Sequence, residues 1–466
     1  MQQEANKKTR RIKQISVTNL FGIFHHTIPL KMSDRITIIH GPNGFGKTMM
    51  LKLLHALFSQ SNRLLHDVPF DEFRVDFEDD TSFWVTKTSR LKDLTEKEHT
   101  FEQETTFHAT GRKPYSLRSK PLLKEIAPLE LSLIHSLIPS LDRVAPETWQ
   151  NRTTGEFLSL EDVVERFGDR LPAELIGERT KMPEWLVDIR KSVPIRFIET
   201  QRLLSSAKLS GRSAYERRMI PEYAVTEDSG HLVEVIRRKL AESATLSQSL
   251  DRTFPVRLIS PTAQQLQVTE DELLDKLEKL EKKRSRLMAL GLLDQETGTV
   301  FPIGSDQGIE SNTKAVLAVY AEDTEQKLGI FDELAQKIDL LTTIIDNRFL
   351  YKKMSINKEK GLIFTNKNDA KLSLEDLSSG EQHELVLFYE LLFRVIPGSL
   401  ILIDEPELSL HVIWQEQFLK DVQQVTQLTD IDIILATHSP DIISDRRDLV
   451  VELEEPANGK LQRVSA

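Results

Sequence analysis

Residues 36–48 read ITIIHGPNGFGKT and hold the densest chemistry in the chain. An apolar β-branched run (Ile36, Ile38, Ile39) ends in the spacing G-x-x-x-x-G-K-[ST], and MMLKLLHALF follows with helical periodicity. Gly41, Gly44 and Gly46 let the backbone curl until its N–H groups face one point, where the helix N-terminus adds partial positive charge. That is an anion cradle, and Asn43, Gly44, Gly46, Lys47 and Thr48 are its expected nucleotide contacts. Lys47 can reach the β- and γ-phosphates of a nucleoside triphosphate, and the Thr48 hydroxyl can ligate Mg²⁺.

Two further strands end in reactive groups. SLILIDEPELSLH (399–411) runs apolar into Asp404-Glu405. As a buried parallel strand it would deliver Asp404 to Mg²⁺ and Glu405 to the attacking water. Read alone, the pair could equally be a solvated acidic turn ended by Pro406. IDIILATHS (431–439) ends likewise in Thr437, His438 and Ser439, and a lone His is usually structural. The third stretch is LSSGEQ (377–382), set directly before the helical HELVLFYELLF. Asp376, Ser378 or Ser379 could cap that helix; alternatively Ser378, Ser379 and Gly380 could aim its N-terminus at an anion.

These groups act together only if buried parallel strands bring Lys47, Asp404 and His438 to one sheet edge. The bulk composition permits such a core: 466 residues, 39% hydrophobic and 29% charged. The apolar run 385–403 is broken by Arg394, Pro397 and Gly398, so it reads as helix, turn and strand and not as a membrane span. The N-terminus lacks the apolar stretch of a signal peptide, and the chain has no cysteine, which suits a cytoplasmic location. A net charge of −11 argues against coating nucleic acid with positive potential.

The order of phosphate loop, serine-glycine helix start, DE strand and His strand resembles that of ATP-binding cassette ATPases. The resemblance implies an ATP and Mg²⁺ site in which Glu405 and His438 are catalytic and Thr48 and Asp404 hold the metal. It also implies that Ser378, Ser379 and Gly380 cap the γ-phosphate held by a second subunit, giving a head-to-tail dimer. IKQISVTNLFGIF (12–24) and DEPELSLH look like the SMC, RecF and OLD branch, with His411 where transporter ATPases usually carry Asp. RFIETQRLL (196–204) resembles the segment with the γ-phosphate-sensing Gln, here Gln201. The opening motif, DEPELSLH and the length are most similar to the ATPase subunit of the PARIS anti-phage system, with the Septu ATPase second. That likeness implies a hexamer built from head dimers. It also implies a separate Toprim-type nuclease effector held inactive, and a phage trigger protein that mimics DNA. Arg217-Arg218 and Arg237-Arg238-Lys239 could meet such an acidic trigger or DNA, or could simply be solvated helix faces.

The expected fold is α/β: an ABC-type head with a mixed sheet and phosphate loop, interrupted by a large, mainly helical insertion with a short coiled-coil-like arm. The boundaries read as 11–110 for the first part of the head, 111–348 for the insertion and 349–466 for the second part. Hairpins are expected at 73–87 and 354–374, and helices at 231–243 and 327–345. VTEDELLDKLEKLEKKRSRLMALGLL (268–293) opens with a Thr269–Glu272 capping box and repeats Leu every seven residues from Leu266. The competing function, of a different class, is a RecF-like repair ATPase that binds DNA directly.

Overall fold

The computed structural model describes residues 9–59, 62–94, 98–118, 138, 141–145, 148–151, 157–159, 162–163, 182–198, 204–210, 218–259, 269–294 and 311–453. Gln201, Leu266 and Arg217 lie outside them. The chain forms two compact units, Met1–Glu222 with Val395–Ala466, and Tyr223–Arg394.

The first unit is mixed α/β. β1 (Ile12–Leu20), β2 (Phe24–Pro29), β4 (Glu72–Phe77), β5 (Ser82–Leu94), β6 (Glu98–Ala109) and β7 (Tyr115–Arg118) form an antiparallel sheet in the order β2-β1-β4-β5-β6-β7. The hairpin read at 73–87 is its β4–β5 pair, with Phe73 opposite Val85 and Val75 opposite Phe83. A second, parallel sheet runs β11-β17-β18-β3-β19, from β3 (Ile36–His40), β11 (Ile195–Ile198), β17 (Leu400–Asp404), β18 (Asp432–Thr437) and β19 (Val450–Glu452). Its central strands are continuous apolar runs because both faces are covered. Helix α1 (Lys47–Phe58) supplies Met50, Leu51, Leu53, Leu54, Leu57 and Phe58 to one core shared by the two sheets, including Phe73, Phe83, Leu402 and Ile434. Arg11, the residue before β1, reaches Asp432 at the start of β18 through two bonds of 2.9 and 2.7 Å, tying one sheet to the other. Smaller pieces complete this part of the chain: β8 (Leu141–Ala145), β9 (Thr148–Asn151) and β10 (Phe157–Ser159) form one sheet, and β12 (Leu204–Ser210) pairs with β13 (Arg218–Tyr223).

The second unit is mainly helical, with α2 (Ala224–Ile259), α3 (Glu270–Ala289), α4 (Ser311–Gly329), α5 (Asp332–Arg348) and α6 (Ser379–Tyr389). The Thr269–Glu272 capping box is present, with Thr269 N donating to Glu272 at 3.0 Å. The α3 stripe Leu273, Leu277, Leu280 and Leu287 is buried, and Lys276, Lys283 and Arg286 pair with Glu325, Asp332 and Asp339 of the neighbouring helices. The short arm therefore packs on its own unit. The three-stranded meander β14 (Lys352–Asn357), β15 (Gly361–Asn366) and β16 (Lys371–Leu372) sits where 354–374 was expected.

Three expectations are corrected. The compact units divide at 222/223 and 394/395, not at 110/111 and 348/349. The antiparallel sheet continues past residue 110 through β7, β11 belongs to the parallel sheet, and the 349–394 segment packs with the helices. Within 111–348 the described residues from 224 onward are mainly helical, whereas strands β7 to β13 occupy described parts of 115–223. The helix expected across 327–345 breaks after Gly329, with Phe331 buried and capping the next helix.

Gly291, which ends the turn after α3, has φ +72°, and a Cβ there would lie 2.0 Å from the Ile356 carbonyl oxygen. Gly291→Ala should therefore lower unfolding stability by more than about 2 kcal/mol, from the left-handed backbone and the backbone clash together. Chemical denaturation of the two chains measures this directly, and an unchanged midpoint would count against the tight turn.

Candidate functional site

The parallel register lines up the reactive groups. Asp404 lies opposite Ala436 of β18, and Thr437 lies opposite His40 of β3, so three strands end level at their C-terminal edge. The phosphate loop starts one residue past His40 and Glu405 one residue past Asp404, while His438 follows Thr437. Open parallel sheets bind ligands at this edge.

The loop is built for an anion. Gly44 and Gly46 adopt φ +87° and +83°, and a Cβ at Gly46 would lie 3.0 Å from Leu20 Cδ2. Gly46 caps α1 in this left-handed conformation. The buried Lys47 folds back over the loop and donates from Nζ to the carbonyls of Gly41 (2.7 Å) and Pro42 (3.0 Å). Burial pulls its ammonium below the ordinary lysine value, and the charges of Glu405, Glu407 and Asp404 oppose that shift. Beside it Thr48 Oγ1 donates to Asp404 Oδ1 at 3.1 Å, joining two stretches 356 residues apart in sequence. Burial raises the Asp404 carboxyl above its usual range, the Thr48 bond opposes this, and the Glu405 charge adds to it.

Hydroxyl and carboxylate oxygens side by side are the hard donors that Mg²⁺ takes, completed by substrate phosphates and water. Among the described residues no group of three or more His, Cys, Asp or Glu could hold a metal alone, which such a site does not require. The residues thus fit a Mg²⁺-nucleotide, with Thr48 and Asp404 toward the cation and Lys47 toward the phosphates. Asn43 is an exposed residue of the same loop.

Glu405 has φ +43°, ψ +57°, an uncommon conformation for a side-chain-bearing residue, and its N–H donates to the Ala436 carbonyl at 2.9 Å. Its carboxylate comes within 3.9 Å of His438 Nδ1. Glu407 stands nearer, at 3.0 Å from the same nitrogen. Nothing local in E-P-E marks the second Glu as buried, and sequence reasoning missed it. A second unforeseen contact is His26 of β2, whose Nε2 donates to the Phe45 carbonyl in the phosphate loop at 2.9 Å. Burial lowers the His26 imidazole below its ordinary value, with the Phe45 bond opposing. It buttresses the loop.

Ser378, Ser379 and Gly380 belong to the second unit. Ser378 is the N-cap of α6: its Oγ accepts the Glu381 N–H at 3.4 Å, and its N–H donates to Glu381 Oε2 at 2.7 Å. Lys352 clamps the Glu381 carboxylate at 2.6 and 2.8 Å, and Gln382 Nε2 donates to the Leu377 carbonyl at 2.9 Å. LSSGEQ is thus a rigid helix start in which Glu381 and Gln382 hold the serines in place. β11 ends at Ile198, beside Ile403 and on the same sheet edge as Asp404; the Gln201 assignment falls beyond it, outside the described residues.

Residues 238–444 match the family model described as "AAA domain, putative AbiEii toxin, Type IV TA system". The matched stretch takes in the serine-glycine helix start, β17 and β18. With the geometry above, it supports an AAA-type ATPase. Among solved structures, the chain is similar to the Smc head domain with an extended coiled coil bound to the C-terminal domain of ScpA from Pyrococcus furiosus. That likeness has 10% identity over 96% of this chain and 94% of the other, with a TM-score of 0.32. It is also similar to the SMC head domain from Thermotoga maritima, at 10% identity over 93% and 92% and a TM-score of 0.30. No curated protein matches the chain. Among the described residues no helix is long and apolar enough to cross a membrane.

Proposed function

We propose that the chain is an ATP-binding and ATP-hydrolysing scaffold that switches a separate effector protein. The observation that carries the ATPase part is the Thr48–Asp404 contact at the edge where Lys47, Glu405 and His438 also arrive. In this reading Asn43, Gly44, Gly46 and Lys47 hold the phosphates and Glu405 orients the attacking water. His438 stands beside the γ-phosphate, and Gln201 is its sensor. Bound Mg²⁺ would offset phosphate charge and polarise the bond that breaks. The chain's own groups position the reactants and exclude water, which is most of what phosphoryl transfer asks of a protein.

The α6 start then completes a site in trans. Ser378 brings a hydroxyl, Ser379 and Gly380 bring backbone N–H groups, and the helix N-terminus favours a phosphate oxygen. ATP would join two heads and hydrolysis would part them. The family description names a putative toxin of a type IV toxin–antitoxin system, which favours a role in defence over one in DNA repair. The finer reading is the one the PARIS resemblance implies, with cytoplasmic head dimers assembled into a hexamer. A Toprim-type nuclease would be held until a DNA-mimicking phage protein releases it.

Mixing Ser378→Arg and Lys47→Ala chains tests the shared site. Each alone should be inactive, while random pairing should restore about a quarter of parental turnover, since half the dimers carry one intact site of two. No recovery would confine each site to one chain. For the effector, tagged Glu405→Gln protein co-expressed with its neighbouring genes should retain a stoichiometric nuclease-like partner, read by mass spectrometry. Recovery of the ATPase with nucleic acid alone would move the assignment to the repair reading.

A further inference from the structure

Glu407 sits in the short turn Pro406–Ser409 that follows the β17 acid pair, with its side chain 5% exposed. One of its oxygens, Oε1, collects three contacts. Thr437 Oγ1 donates to it at 2.7 Å and the His438 backbone N–H at 2.9 Å, while His438 Nδ1 lies 3.0 Å away. The other oxygen, Oε2, is buried with no hydrogen-bond partner. The turn itself is locked from behind, because Gln415 Nε2 donates to the carbonyls of Glu407 (3.3 Å) and Leu410 (3.2 Å) and Ser439 Oγ donates to Gln415 Oε1 at 2.8 Å. A carboxylate buried this thoroughly and aimed at the end of β18 is not a solvated loop acid.

A carboxylate oxygen accepts hydrogen bonds, so a hydrogen on the histidine nitrogen 3.0 Å from it makes that contact attractive, where a lone pair there would be repelled. That favours a hydrogen on Nδ1 and leaves Nε2, on the far side of the ring, to face the site, where its lone pair accepts from the attacking water in the neutral ring and its N–H donates to a phosphate oxygen in the cation. The backbone bond from His438 N–H to the same oxygen fixes where the ring can swing.

We propose that Glu407 is a positioning residue of the ATPase site: it sets the tautomer and rotamer of His438, so that Nε2 is the nitrogen presented to the nucleotide. The proposal rests on the ATPase reading above and adds a residue to it. Glu405, 3.9 Å from the same Nδ1, is left free for the attacking water, and the two glutamates divide the work between them. Among the described residues, these two carboxylates are the acidic groups within 4 Å of the imidazole, and Thr437 donates to the nearer one.

The test reads the imidazole first, on the full-length chain without nucleotide. ¹⁵N and ¹³C histidine shifts at pH 8, with His438 assigned by loss of its signal in His438→Asn, should show the Nδ1–H form in the parental chain. They should show the ordinary Nε2–H form in Glu407→Ala. An Nε2–H parental signal, or an unchanged tautomer in Glu407→Ala, overturns the proposal; if Glu407→Ala does not fold, the parental tautomer alone decides. The second readout is kinetic. Glu407→Ala should lower kcat by about 10²-fold while KM for ATP stays within about threefold, because the phosphate-loop contacts are untouched. An equal rise in KM with kcat unchanged would make Glu407 part of nucleotide binding and overturn the positioning role. A parental chain that turns over no ATP would sink the ATPase reading while leaving the tautomer result intact, so the two failures are separable.

Discussion

Lys47→Ala protein should retain no labelled ATP at concentrations that saturate the parental chain. Lys47 Nζ is buried over the loop and already bonds two of its carbonyls at 2.7 and 3.0 Å. A charged donor held that way gives up little conformational freedom when phosphate oxygens take the place of the carbonyls. Charge-assisted bonds of this kind contribute about 1.5–3 kcal/mol each, so losing contacts to two phosphates should weaken binding by about 10³-fold. The loop would survive the change, since α1 is anchored by Met50, Leu53, Leu54 and Leu57 in the shared core and by the Gly46 cap. Filter retention at matched thermal midpoints separates lost binding from lost fold. Retention within about threefold of the parental chain would remove the phosphate-loop assignment.

Glu405→Gln should do the opposite: bind nucleotide normally and release phosphate about 10²–10⁴-fold more slowly. The substitution keeps the size and shape of the side chain, and nothing in the left-handed backbone at φ +43° distinguishes Gln from Glu. What disappears is a carboxylate able to accept a proton from water. Because the amide still hydrogen-bonds, ground-state binding is spared and the loss falls on kcat. The heads would then accumulate in their nucleotide-joined state, which is why this variant suits partner capture. Parental phosphate release would give the water to another group, and the Glu407–His438 pair would be the next to change.

Much of the head was legible because its signals are local. The strand, loop and helix at 36–58 follow from β-branched residues, glycine spacing and helical periodicity, and the β4–β5 and β14–β15 hairpins follow from alternation around acidic or glycine turns. The Thr269–Glu272 box was readable from two residues. What escaped depends on partners far away in the chain. β11 is four residues long, and only its pairing with β17 makes it part of the parallel sheet. Glu407 looks like a loop acid until β18 delivers Thr437 and His438 onto it. His26 looks like a polar strand residue until the Phe45 carbonyl meets it. The break after Gly329 was hidden by apolar spacing that continues across it, since periodicity reports which face is buried and not whether the axis is continuous.

The Ser378 cap has a consequence of its own. A hydroxyl has two lone pairs and one hydrogen, and capping α6 occupies only a lone pair, which accepts the Glu381 N–H. The hydrogen is not spent on that bond. Holding the helix end and donating to an incoming phosphate oxygen are therefore compatible valences of one atom, not rival uses of it. A head that engages and releases a neighbour's nucleotide in this way never has to uncap its own helix, and the first turn of α6 can stay wound through every cycle of association.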